Sequence, residues 1–112
     1  MKLIIGGRQT GKTTELIKHS AETGNYILVH DNNSARIVAK QAKDMGFYIP
    51  YPVTVSEMCN RGYFRGSSIR RDGLLVDDLD LILHTLFGGI EIKEATINNE
   101  NIERITFLGA IK

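Results

Sequence analysis

Gly6-Gly7-Arg8-Gln9-Thr10-Gly11-Lys12-Thr13 reads G-x-x-x-x-G-K-[ST], and this octapeptide constrains the fold more than any other stretch of the chain. The pattern has meaning only where a strand runs into the loop and a helix leaves it. Both flanks fit. Lys2-Leu3-Ile4-Ile5 is an apolar run suited to a buried strand, and Thr14-Glu15-Leu16-Ile17-Lys18 suits a helix. Strand, loop and helix must then follow one another, which is the opening unit of an α/β layer fold.

The spacing has a chemical reason. Glycines at 6, 7 and 11 let the backbone curl until successive N–H groups face one anion. The helix that follows adds the positive end of its dipole. Lys12 would reach the β- and γ-phosphates, and the Thr13 hydroxyl would ligate Mg²⁺. The candidate phosphate-binding set is Gly6, Gly7, Arg8, Gln9, Thr10, Gly11, Lys12, Thr13 and Thr14, with Lys12 also a candidate catalytic residue. The competing reading is a glycine-rich turn that binds nothing.

With 112 residues the chain has room for one packed core, so residues 1–112 are expected to form a single domain. A hydrophobic share of 42% and a charged share of 24% suit a globular protein. No apolar run approaches the roughly 20 residues of a membrane span. Lys2 leads straight into the first strand, which argues against a cleaved leader. The single cysteine, Cys59, leaves no internal disulfide and suits a cytoplasmic location. A buried, chemically idle Cys59 is the expectation.

Strand and helix alternate along the chain, with glycine and proline as punctuation. The spacing predicts a strand over 2–6, a helix over 12–23 closed by Gly24, and a strand over 26–29. A second helix follows Asn33 or Ser34 as N-cap, with Ala35, Val38, Ala42 and Met45 on one face and Gly46 at its end. Pro50 and Pro52 predict an irregular connection that finishes in a short strand over 53–55, with Ser56 capping a brief helix. Residues 61–72 read as a loop. Leu74-Leu75-Val76 is a continuous apolar run, as a central parallel strand requires. A helix over 79–87 follows, then strands over 90–97 and 104–108.

The run Leu74–Val76 ends in Asp77-Asp78. A phosphate loop needs a carboxylate at the tip of a neighbouring strand to hold Mg²⁺, directly or through water. Asp77 fits that role, which makes Thr13 and Asp77 the candidate metal ligands. A second acid can orient or deprotonate the attacking water. Asp78 is the candidate, although it is short for the task. Alternatively, the two acids are a solvated strand end or a helix cap.

Together, Gly6–Thr13 and Leu74–Asp78 resemble the P-loop NTPase superfamily. The paired acids are similar to those of its additional-strand division, which includes RecA-like ATPases, AAA+ proteins and helicases. That resemblance implies a three-layer α/β fold, with a mostly parallel five-stranded sheet of order 5-1-4-3-2 and helices on both faces. Finer likeness points to the first domain of superfamily 1 helicases. Ile27-Leu28-Val29-His30 with Asn33-Ser34-Ala35-Arg36 resembles their motif Ia, and Val53–Met58 resembles the threonine-containing segment before the acidic strand. Leu74–Leu83 also looks like the Asp-Asp version found in replication initiators and helicase loaders. The whole is similar to a minimal, single-domain phage-type ATPase, which implies ATP and Mg²⁺ as cofactors. In such relatives a polar residue ending the fourth strand senses the γ-phosphate. Thr96 is the candidate and Asn98 the second, unless Thr96 is simply a strand-favouring residue.

Absences narrow the reading. The chain has neither an Asn-Lys-x-Asp nor an Asp-x-x-Gly signature, which argues against a GTPase. No arginine-bearing insertion could serve as a kinase lid, and no second motor domain fits in this length. No arginine follows the fifth strand. Such an arginine finger is worth about 10³–10⁵ in turnover, so slow hydrolysis is expected unless Arg8, the 61–71 segment, a second copy or a partner supplies one.

The net charge of +1 gives no global signal for nucleic acid. Locally, Arg61, Tyr63, Phe64, Arg65, Arg70 and Arg71 interleave cations with aromatics, a mixture that can hold phosphates and stack bases. DNA or RNA binding through Arg61–Arg71, a protein interface on the same residues, and a plain solvated loop all fit. The function expected is a Mg²⁺-dependent ATP-binding protein with slow ATPase activity, acting on nucleic acid or in its assembly machinery. The alternative is an ATP-gated interaction module that scarcely hydrolyses.

Overall fold

The computed structural model describes residues 1–60 and 68–109. It is an α/β structure whose strands all pair in parallel. The chain runs β1 (Lys2–Gly6), α1 (Lys12–Thr23), β2 (Tyr26–Val29), α2 (Asn32–Asp44), β3 (Val53–Thr54), α3 (Val55–Met58), α4 (Ser68–Asp72), β4 (Leu74–Val76), α5 (Leu79–Leu86), a 3₁₀ turn (Asn99–Asn101) and β5 (Arg104–Leu108). The strands fall into two pieces: β1 with β5, and β3-β2-β4.

β2 is the centre of the packed half. Its side chains alternate between two faces, as a strand requires. Ile27 and Val29 pack with Ile17 of α1 and with Ala35, Val38 and Ala42 of α2. Leu28 points the other way, towards Val53, Val55, Ile69 of α4 and Ile82 of α5. Helices therefore cover both faces of this piece. The expected helix spacing of Ala35, Val38 and Ala42 is what delivers that face of α2 to the core.

The helix ends differ from expectation in informative ways. Asp31, not Asn33 or Ser34, caps α2, and its carboxylate accepts from the Ser34 N–H at 2.8 Å. That bond holds the Asp31 carboxyl below its usual pKa. Thr54, not Ser56, caps α3. Its hydroxyl accepts from the Glu57 N–H at 3.2 Å while the Glu57 carboxylate accepts from the Thr54 N–H at 3.0 Å, a reciprocal capping box. Cys59 is exposed rather than buried.

The largest correction concerns residues 90–98. They form no strand, so the expected order 5-1-4-3-2 is not present. The pairs 5-1 and Leu74–Val76 with β2 are present, but the strand that would lie between them is not. A strand between two parallel neighbours is buried on both faces and reads as continuously apolar. This stretch carries Glu91, Lys93 and Glu94, whose charges are costly to bury. Lys93 and Glu91 pair on the surface instead, at 3.0 Å.

Among the described residues, no helix is long and apolar enough to cross a membrane.

Candidate phosphate and metal site

β1 delivers the chain into the loop, and α1 takes it out. Gln9 has a φ of 57° and Gly11 one of 91°, so two left-handed residues within three positions curl the backbone. Gly11 is the N-cap of α1, and its carbonyl accepts from the Glu15 N–H at 3.0 Å. The Thr10 hydroxyl donates to the Gly7 carbonyl at 2.8 Å. Lys12 folds back over the loop, and its ammonium donates to the Gly6 carbonyl at 2.8 Å and the Gly7 carbonyl at 2.6 Å. The loop thus has a fixed shape held by its own polar groups.

β4 brings Asp77 to this loop. The Asp77 N–H donates to the Leu28 carbonyl at 3.0 Å, which extends the β2–β4 ladder by one residue. The Thr13 hydroxyl donates to the Asp77 carboxylate, 3.1 Å from one oxygen and 3.2 Å from the other. Burial raises the pKa of this carboxyl. The Thr13 hydrogen bond opposes the rise, the Asp78 charge adds to it, and the charges of Lys12 and His30 oppose it. A carboxylate so placed favours a nearby cation.

The donor set fits Mg²⁺. Thr13 and Asp77 offer one hydroxyl and one carboxylate, both hard oxygen donors. Among the described residues, no group of three or more His, Cys, Asp and Glu side chains could hold a metal alone. The remaining ligands would have to be phosphate and water, the usual arrangement where Mg²⁺ arrives with a nucleotide.

Asp78 is placed differently. Its φ is 65°, a conformation that costs most residues and that Asp tolerates better than most. Its carboxylate accepts from the Leu81 N–H at 3.3 Å and caps α5. The helix-cap reading of this acid is therefore realised in the structure. Thr14 also points elsewhere, its hydroxyl accepting from the Gln41 amide of α2 at 3.1 Å. Arg8 and Gln9 are exposed on the loop.

Thr96 lies in the irregular 90–98 stretch and is exposed. Among the described residues, no hydrogen bond joins it to the loop or to Asp77. Asn98 caps the 3₁₀ turn, its side-chain oxygen accepting from the Glu100 N–H at 3.0 Å. Arg61, Tyr63, Phe64 and Arg65 lie outside the described residues. Arg70 and Arg71 are on α4. Arg71 forms a two-pronged pair with Asp72, at 3.0 and 3.1 Å, which lowers the Asp72 pKa and raises that of Arg71. That pair satisfies one of the cations expected to meet phosphate.

His30 was not singled out by the residue pattern. It follows β2, where the next strand is β4, so its charge reaches Asp77. Its Nε2 lies 3.2 Å from the Asp31 carboxylate, and its Nδ1 lies 3.1 Å from the Ser34 hydroxyl. The available signal was positional, since residues just past neighbouring parallel strands end side by side.

Searches of protein-family models, of curated proteins and of solved structures find nothing that matches this chain.

Proposed function

We propose that the chain is a Mg²⁺-dependent ATP-binding protein with slow ATPase activity, working in the cytoplasm on nucleic acid or in its assembly machinery. One observation carries this reading: Thr13 and Asp77, 64 residues apart in sequence, meet at 3.1 Å beside a curled glycine loop. A glycine-rich turn with no ligand gives no reason for a half-buried carboxylate to face the first turn of the following helix.

In this reading the loop N–H groups and Lys12 bind the phosphates. Lys12 exchanges the Gly6 and Gly7 carbonyls for phosphate oxygens. Thr13 and Asp77 would hold Mg²⁺, which when bound neutralises phosphate charge and polarises the bond to the leaving group. Asp78 orients water only by sharing its carboxylate with the α5 cap, which favours slow turnover. A sensing role for Thr96, and the full additional-strand order, both require residues 90–97 to move in beside β1 and β4. DNA or RNA would meet the Arg61–Arg71 segment, and a second copy or a protein partner would supply the missing arginine.

Asp78's place as a helix cap favours a second reading, an ATP-gated interaction module with little hydrolysis. Binding and turnover separate the two. Lys12→Ala should weaken ATP binding by about tenfold or more, since a charge-assisted contact is worth roughly 1.5–3 kcal/mol. Equal affinity in wild type and Lys12→Ala would remove both readings. Turnover measured with and without single- and double-stranded DNA should rise with the right partner. Loss of turnover without loss of binding in Asp78→Ala marks an enzyme, and negligible turnover under every condition marks the module.

A further inference from the structure

Gly109, the residue after β5, sits against the phosphate loop. β1 and β5 pair in register with Gly6 opposite Leu108. Thr10 fills the space above this pair. A Cβ built on Gly6 would collide with the Thr10 hydroxyl, and would also lie 3.1 Å from the Leu108 carbonyl oxygen. On the other side, a Cβ built on Gly109 would come within 2.7 Å of the Thr10 methyl and 3.3 Å of its Cβ. Thr10 is thus seated between two residues that lack side chains, with its hydroxyl bonded to Gly7.

We propose that Thr10 and Gly109 form a positioning contact through which the end of β5 sets the shape of the phosphate loop, and with it the affinity for nucleotide. The consequence for nucleotide rests on the ATP-binding reading above, but the contact itself does not. A side chain at 109 pushes the Thr10 methyl, and Thr10 yields either by turning about its Cα–Cβ bond, which breaks the hydroxyl's bond to Gly7, or by moving the segment between Gly7 and Gly11. In the ATP-binding reading that segment carries the N–H groups that would meet the phosphates. A displacement of a few tenths of an ångström there degrades several hydrogen bonds together, because their strength falls steeply with geometry.

Two effects of a substitution at 109 can be separated. Gly109 has a φ of 78°, so alanine is strained there whatever the space. Gly24 has the same φ of 78° and nothing within 4 Å of a built Cβ. Gly24→Ala therefore carries the backbone strain without the collision, at a site on the far end of α1. Thr10→Ser removes the methyl that meets residue 109 and keeps the hydroxyl on Gly7.

The test is a double-mutant cycle, read by Mg-ATP affinity and by the amide resonances of residues 7–11 in the full chain. Gly109→Ala should weaken ATP binding about tenfold, a coupling within the range for residues in contact. It should also shift the loop resonances. Adding Thr10→Ser should restore both, and Gly24→Ala should change neither. Wild-type affinity with unmoved loop resonances in Gly109→Ala would overturn the proposal, as would failure of Thr10→Ser to restore them. Should wild type bind no ATP, the nucleotide reading fails and the resonances alone decide the contact. Should Gly109→Ala not fold, Thr10→Ala replaces it. The Gly109 amide resonance must then move, and an unmoved resonance overturns the contact.

Discussion

Ile17 and Ile27 are fully buried around β2, whereas Ile90 is 64% exposed and Phe107 56% exposed. The two regions use similar side chains, and the difference lies in what covers them. β2 has a strand on each edge and helices on each face. β1 and β5 have each other, and one face of the pair, carrying Ile5, Ile105 and Phe107, is exposed. A lone strand pair is marginal without a covered face. The candidate site lies where the two regions meet, with its loop on the thinly covered piece and Asp77 on the well-packed one.

The sharpest way to break this comparison is to cut equal methyls from both regions. Ile17→Ala should cost about 2–5 kcal/mol, because it opens a cavity in a closed core. Ile92→Ala should stay within about 0.5 kcal/mol, because the side chain already meets solvent. Urea unfolding of both variants checks this, and similar costs would mean that residues 90–97 are packed in solution.

The same contrast applies to the caps. Thr54→Ala removes a capping box from a buried position and should cost about 1 kcal/mol or somewhat more. Asn98→Ala removes the cap of an exposed 3₁₀ turn and should be close to neutral in the same assay.

A smaller effect should appear as a slope with pH. The Asp77 carboxyl is raised by burial, so the folded state holds its proton more tightly than the unfolded chain does. That contribution is present at low pH and is lost as pH rises from the ordinary carboxylate value of 3.8 through the raised one. Asp77→Asn should flatten this slope and give the higher unfolding midpoint at neutral pH without Mg²⁺. A steeper fall in the variant would reverse the assignment.

Asp78→Asn should be the mildest change, within about 0.5 kcal/mol. Asparagine tolerates a positive φ and keeps an oxygen for the Leu81 N–H. A large loss of stability on thermal unfolding would show that the negative charge itself is needed at this cap.

Much of the well-packed region was legible in the residues. The apolar run at 26–29, the spacing of Ala35, Val38 and Ala42, and the run at 74–76 each reported a covered face, and glycines marked the helix ends. The glycine-rich turn between β1 and α1 and the acid at the tip of β4 were also legible, because both are local patterns, and the structure sets Thr13 against Asp77. What failed depended on the surroundings. Residues 90–93 alternate like a strand, but Glu91, Lys93 and Glu94 oppose a place between two neighbours. Asp31 and Thr54 took the caps two or three residues ahead of the expected positions, because neighbouring polar residues compete and only the backbone decides. The role of Gly109 had no local signature, since the residue it accommodates lies almost a full chain length away.

Lys12 has a consequence for how fast and how firmly any phosphate is held. Of its three N–H donors, two already have acceptors at 2.6 and 2.8 Å, so an arriving anion meets one open donor and reaches the others only by trading partners. For those two donors the enthalpic gain is a difference between two good bonds. In return, the side chain is parked within reach and little of its freedom is left to lose. Such a lysine behaves as a latch already resting on its own frame, and capture would be quick and release easy.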